Sequence, residues 1–301
     1  INNIIFSSAA ATVLVGTLYP LFIDALSNSK VSVGPPYFES VFIPLMVPAI
    51  LICAFSPMLS WKRAVISNLY ERIIGIFILS ILITSILVLL HDGSPTAFLG
   101  LFLGFWLMLG TIYEIAFKIG IGKKLEIVLN RIVNLPRSTY GMSLAHLGVA
   151  VFIIGVTVSS AWREDIEKSI SLGDEIFIKN YKLIFSSYDK IQGPNWVADK
   201  GTFFIFKNKI NIGSLYPERR FFPASQVTTS EPAIMSRVFS DLYVVLGEKI
   251  TENNSYAIRV YYSPLLNWIW FGIILMVLGG IFSISDRKHR LGYTGFKKLV
   301  K

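Results

Sequence analysis

His146 stands inside a stretch, Gly141 to Trp162, that carries no formal charge. About 20 apolar residues suffice to cross a bilayer as a helix, so the run reads as a membrane span with an imidazole inside it. An imidazole in hydrocarbon is costly, and residues of this kind serve as proton relays, ligands or buried polar partners. At helical spacing its neighbours on the same face are Ser143, three residues before, and Ala150, four after. Both are small, which lets another helix or a flat ligand come close. By helix rise the imidazole lies about 13 Å from Arg137, a depth that suits haem iron better than a hydrolytic metal. An axial pair would need a second ligand from another helix, and the chain has no other intramembrane histidine. A histidine merely hydrogen-bonded to a neighbouring helix fits the same residues, and both readings stay open on this chemistry.

The rest of the sequence offers little that could catalyse a reaction. There is no HExxH, no P-loop, no GxGxxG after a strand and no GxSxG elbow. Of the three histidines, His91 ends a span and reads as an exposed loop residue. His289 sits among Arg287, Lys288 and Arg290 and reads as a juxtamembrane anchor. A hydrolase triad on these residues is therefore disfavoured, and no catalytic residue is assigned. The single cysteine, Cys53, lies in an apolar run, so no intrachain disulfide, CxxC pair or cysteine metal site is possible. Trp162, Trp268 and Trp270 fall at span ends, where interfacial aromatic belts form. Arg219 and Arg220, in Tyr216-Pro217-Glu218-Arg219-Arg220-Phe221-Phe222, lie on a strand-like stretch. They could hold propionates or a partner's carboxylates, or form a solvated face.

The elements that must position these groups follow from composition. The chain has 301 residues, of which 53% are hydrophobic and 16% charged. Globular domains average about 25% charged, so these values and a mean hydropathy of +0.59 indicate a membrane protein. Six spans are expected: about Ile4–Phe22, Val41–Leu59, Ile73–Leu90, Thr96–Phe117, the run with His146, and Pro264–Ser285. Between the first two, Gly34-Pro35-Pro36 cannot continue a helix, and Pro44, Pro48 and Pro57 predict a kinked second span. The net charge of +9 is concentrated beside the spans, which argues for membrane orientation and against nucleic acid. Lys62, Arg63, Arg72, then Lys118, Lys123, Lys124, Arg131 and Arg137, then Arg287, Lys288, Arg290, Lys297, Lys298 and Lys301 share one side; the other holds only Lys30. By the positive-inside rule both chain ends lie in the cytoplasm or matrix. The start Ile1-Asn2-Asn3, without Met or a signal-peptide layout, reads as part of a longer protein.

Between the fifth and sixth spans the period changes. Ile176-Phe177-Ile178, Tyr181 to Tyr188, Phe203 to Phe206, Ile210-Asn211-Ile212 and Tyr256 to Tyr262 are β-branched and aromatic. Gly173-Asp174, Gly193-Pro194-Asn195 and Asn253-Asn254 supply turns. The fold class expected is an α-helical membrane bundle of about six spans, with a mostly antiparallel β-domain on the outer side before the last helix. The expected division is 1–162 for the five-span bundle, 163–263 for the β-domain, sandwich or open barrel, and 264–301 for the last helix and a basic tail.

Taken in order, several segments resemble one family. They are Leu14-Val15-Gly16-Thr17-Leu18-Tyr19-Pro20, Val33 to Phe38, Gly141 to Gly148, Gly193-Pro194-Asn195-Trp196, Tyr216 to Phe222, Asp241-Leu242-Tyr243, Leu246-Gly247-Glu248 and Arg259 to Pro264 with Trp268-Ile269-Trp270. As an ordered set along essentially the whole chain they resemble the C-terminal half of CcmF, the haem lyase subunit of system I cytochrome c maturation. The resemblance implies haem attachment to the CxxCH cysteines of apocytochrome c, together with a CcmH-type thiol protein and the haem chaperone CcmE. It implies a haem b inside an inner membrane, bacterial or mitochondrial, that takes electrons from quinol, with His146 as one axial ligand of its iron. Arg219, Arg220 and Trp196 become candidate contacts to propionates or a partner. The family's tryptophan-rich WWD segment, its flanking outer histidines and the other intramembrane histidine have no counterpart here. This stretch alone is therefore expected to be inactive as a lyase and to work with an upstream half. A dedicated paralogue of the NrfE type is also compatible. Two other roles remain as alternatives, a non-catalytic scaffold of the maturation complex and a haem exporter. The exporter ranks last, because spans one to four show little charge to line a route.

Overall fold

The computed structural model describes residues 2–27, 30–54, 66–250 and 255–286. The helices are α1 (Asn2–Ser27), α2 (Pro35–Cys53), α3 (Ile66–Leu90), α4 (Pro95–Ile119), α5 (Leu125–Asn134), α6 (Arg137–Ala161) and α7 (Leu266–Ile284). Six of them, all but α5, are long and apolar enough to cross a membrane. Chain contacts divide the molecule into two units, residues 1–153 with 272–301, and residues 154–271.

In the helical unit, α2 starts six residues earlier than expected. Gly34-Pro35-Pro36 opens a helix here, because proline at the first turn lacks only an N–H that would have gone unpaired. Pro57 and Leu59, at the end of that expected span, lie outside the described residues, as do Lys62, Arg63 and the tail from Arg287 with His289. The basic connector after α4 contains the helix α5, whose Leu125, Leu129 and Val133 are exposed along one face. Ser94 caps α4 at its start through the Ala97 amide, and Gly120, left-handed at φ 78°, closes it. Phe102, Leu103, Trp106 and Leu107 of α4 pack with Ala54, Ile76 of α3 and Ala150 of α6. Trp106 donates its indole N–H to the Leu51 carbonyl at 3.0 Å, which fixes α2 against α4.

Helices α6 and α7 meet backbone to backbone. A Cβ on Gly148 would lie 2.6 Å from the Gly272 carbonyl oxygen, and one on Gly141 would lie 2.5 Å from that of Gly279. Glycines seven apart on both helices thus form an antiparallel seam, the small-residue packing that replaces hydrophobic drive inside lipid. Where the seam ends, Asp286 accepts the Ser138 amide at 2.9 Å and so satisfies one open donor in the first turn of α6.

The second unit is antiparallel β throughout its described pairs. One sheet has the order β1 (Glu164–Ile170), β10 (Ser255–Pro264), β9 (Ser240–Ile250), β8 (Ala233–Ser236). The other has the order β2 (Glu175–Ile178), β3 (Tyr181–Gln192), β4 (Val197–Lys207), β6 (Glu218–Phe222), β7 (Val227–Glu231), with β5 (Ile210–Leu215) also paired to β4. Alternate residues point inward, as the two-residue period requires: Tyr181, Leu183 and Phe185 from β3, Leu242, Val244 and Leu246 from β9, Tyr256, Ile258 and Val260 from β10. Both sheets contribute to this one core, which makes the unit a sandwich.

Candidate functional site

His146 lies on α6, half-buried, one turn before Ala150 and the packed cluster around Trp106. Its Nδ1 is 2.7 Å from the carbonyl oxygen of Met142, one turn earlier. A carbonyl only accepts, so Nδ1 is the donor, and in the neutral ring Nε2 keeps the lone pair. The neutral ring is thereby held in the tautomer that a metal needs, with a backbone acceptor behind it that fixes its orientation. Ser143, on the same face, is buried, and its Oγ has no hydrogen-bond partner among the described residues. A buried hydroxyl without a partner calls for a further polar group beside it. No group of three or more His, Cys, Asp or Glu side chains could hold a metal among the described residues. The donor set is thus a single imidazole, which fits axial ligation of a macrocycle's metal better than a self-contained ion site.

One charged group inside a span escaped the sequence reading. Glu114 of α4 is buried and ion-paired with Lys118, one turn further along. The signal was present as Glu-x3-Lys at helical spacing, with the acid N-terminal to the base. Pairing brings two opposite charges together and lowers the cost of placing either in an apolar environment. His91 is exposed in the turn after α3.

In the β-sandwich, Arg219 and Arg220 are adjacent on β6, so their side chains leave opposite faces of the strand. Arg219 reaches Glu248 of β9 at 2.5 Å. Arg220 bonds Glu218 at 2.9 Å and lies over the Trp196 ring, 4.4 Å from its centre. The strand register brings Arg220 to Ala198, two residues past that tryptophan. The structure therefore joins Trp196 and Arg220 in one cation–π contact and sends Arg219 elsewhere. Each guanidinium already has a carboxylate from its own domain.

Beside them, Tyr188 packs on Tyr256 with ring centres 4.4 Å apart. Burial, and then the hydrogen bond its hydroxyl donates to Asp199, push the phenol well above the ordinary tyrosine range. The folded state therefore holds this proton more tightly than the unfolded chain. The resulting stability is complete below about pH 10, where an unfolded tyrosine is still protonated, and declines as the pH rises further. The sandwich is expected to lose stability progressively as the pH climbs above about 10, followed by near-UV circular dichroism on heating. Tyr188→Phe should flatten that decline.

Fold and site together define a class: a multi-pass membrane protein with six membrane-crossing helices and an antiparallel β-sandwich inserted before the last of them. Residues 161–264 match the family model described as the CcmF C-terminal beta-sandwich. Over 294 residues the chain is 34% identical to the cytochrome c-type biogenesis protein CycK of Rhizobium meliloti, covering 97% of this chain and 43% of that protein. It is 35% identical over 292 residues to CcmF of Pseudomonas aeruginosa, covering 97% and 44%. The solved structure named Cytochrome c Heme Lyase CcmF shares the fold, with a TM-score of 0.68 at 19% identity over 95% of this chain and 45% of that one. Residues 161–264 thus match the C-terminal sandwich of CcmF, and the chain is similar to CycK and CcmF proteins along nearly its whole length. It spans less than half the length of the relatives it matches.

Proposed function

We propose that this chain forms the C-terminal part of a cytochrome c haem lyase subunit and supplies one axial ligand, His146, to a haem b within the membrane. The observation that carries the proposal is the Nδ1–Met142 contact, which orients the ring and in its neutral form leaves the Nε2 lone pair free inside an apolar helix. When bound there, haem would supply a one-electron couple. The chain's own contributions are to hold the iron at Nε2, to fix the tautomer through the Met142 carbonyl, and to offer the Ser143 hydroxyl nearby. The second ligand comes from the upstream half of the lyase. Both chain ends lie in the cytoplasm or matrix of an inner membrane and the sandwich on the outer side, a reading that the positive-inside pattern supports. There the sandwich docks the CcmH-type thiol protein, CcmE or apocytochrome c, with the Trp196–Arg220 pair and Arg219 as its candidate contacts. A partner's carboxylate, or a propionate, would exchange with Glu218 or Glu248.

The test is the absorption spectrum of the complex purified with its upstream half. His146→Ala should abolish or strongly shift the reduced b-type bands while the protein keeps its circular dichroism. Unchanged bands at full haem occupancy would sink the ligand assignment and leave docking, the scaffold reading, as the chain's role. Glu114 gives no support to the exporter, since its charge is matched by Lys118 within one helix.

A further inference from the structure

The turn between β8 and β9, residues 237–239, carries two exposed apolar side chains, Val238 at 68% and Phe239 at 66%. Isolated exposed apolar residues are ordinary. This turn differs in where its backbone goes. All three of its carbonyl oxygens are taken by the start of α7 or the residue before it. Asn267 donates its amide to Arg237 O at 2.9 Å, the Trp268 indole N–H donates to Val238 O at 3.1 Å, and the Leu265 amide donates to Phe239 O at 3.0 Å. The Arg237 amide in turn donates to Ser240 O at 3.1 Å and to Asp241 Oδ1 at 3.2 Å, and Asn267 also bonds Asp241 Oδ1 at 2.8 Å. The Phe239 ring lies 6.1 Å from that of Trp268. Leu265, which joins β10 to the helix, adopts φ 51°, an unfavourable conformation for leucine that this knot holds in place.

A solvent-facing turn needs none of this, because water satisfies its carbonyls. A turn in the interfacial zone of a bilayer does need it, since unpaired backbone groups are expensive where water is scarce. The partners here belong to the entry of a membrane-crossing helix, whose next residues, Trp270 and Phe271, are exposed apolar aromatics. Tryptophan at a span end marks the headgroup level. Arg237, exposed at the shoulder of the turn, is placed for lipid phosphate.

We infer that the β8–β9 turn is a lipid-binding wedge: Val238 and Phe239 enter the leaflet that receives the start of α7, with Arg237 at the phosphates, and so fix the sandwich against the membrane surface. The occupant is lipid, because Phe239 packs beside Trp268 at the entry of a membrane-crossing helix whose Trp270 and Phe271 are exposed.

The test uses the full chain with its one cysteine removed, Cys53→Ala, and a polarity-sensitive fluorophore attached through Val238→Cys. The protein is reconstituted in vesicles of phosphatidylcholine and phosphatidylglycerol. A second label goes on Ile250→Cys at the other end of β9, about 33 Å along the strand. The label at 238 should lose most of its emission to lipids bearing a nitroxide near the headgroup and little to aqueous iodide, with the reverse at 250. Adding Phe239→Asp should remove the lipid quenching at 238 while the sandwich stays folded. Iodide quenching at 238 equal to that at 250 would overturn the wedge. Protection of 238 from both quenchers would overturn it too, and would assign the turn to a protein partner.

Discussion

Gly148→Leu is expected to lower the melting temperature of the purified protein sharply, by the equivalent of about 3 kcal/mol, the upper end of what overpacking costs. The reason lies in backbone geometry. Even a Cβ at this position would sit 2.6 Å from the Gly272 oxygen and 2.7 Å from the Met276 nitrogen, and backbone atoms cannot rotate aside. The helices would have to separate along the whole seam, because Gly141 against Gly279 is as tight. Gly280→Ala, on the same α7, provides the contrast. Nothing lies within 4 Å of its Cβ position, and alanine is the better helix former by about 1 kcal/mol. Fluorescence-monitored melting in nanodiscs should show a loss for the first variant and no loss, or a gain, for the second. Equal effects would mean that helix propensity, and not close contact, governs both positions. His146 gives the contrast a functional readout, since it sits two residues before Gly148 on α6 and its ring is positioned by that helix. If His146 holds haem as proposed, a b-type spectrum broadened in Gly148→Leu would trace helix separation to that residue.

Much of this fold can be read from residue types, and the exceptions have physical causes. Uncharged runs announce membrane helices, and the fold is that of a six-span bundle with a sandwich before the last helix. The start of α2 was misjudged because proline is a breaker inside a helix but an opener at its first turn, and only the backbone shows which applies. Helix α5 is concealed by the basic residues around it: Leu125, Val128, Leu129 and Ile132 form a helical stripe, but Lys123, Lys124 and Arg131 dominate the composition. Strand β1, Glu-Asp-Ile-Glu-Lys-Ser-Ile, gives almost no apolar signal. It is a strand because β10 pairs with it at every residue and Arg259 meets Glu167 across the register. The candidate site divides the same way. An imidazole in an uncharged run is visible in the sequence, whereas its tautomer depends on a carbonyl one turn back and the orphan Ser143 hydroxyl depends on packing. Arg219 and Arg220 look like one basic pair on paper, and strand alternation sends them to different partners.

The second large effect concerns the sandwich core. Phe203 of β4 is fully buried and stacks on Phe185 of β3 with ring centres 4.8 Å apart and planes 9° apart. Phe185 in turn meets Tyr256 of the opposite sheet edge-on at 5.3 Å. Truncating such a ring costs about 3–5 kcal/mol through lost transfer energy and the cavity left behind. That is a large part of the roughly 5–15 kcal/mol that holds a domain folded. Phe203→Ala in the full chain should therefore make residues within 164–264 sensitive to brief trypsin treatment, where the parent resists. The glycine seam between α6 and α7 uses Gly141, Gly148, Gly272 and Gly279, none of which belongs to the sandwich, so helix pairing should survive. If His146 holds haem and the sandwich docks partners, the two variants must separate the two functions. Phe203→Ala should lose capture of a CcmH-type protein and keep the reduced b-type bands, while His146→Ala should lose the bands and keep capture. A Phe203→Ala complex that lost its bands with its membrane helices still paired would tie haem retention to the sandwich and would end the assignment of separate roles. Capture retained by a proteolysed sandwich would move docking onto the helices, where α5 offers an exposed apolar face.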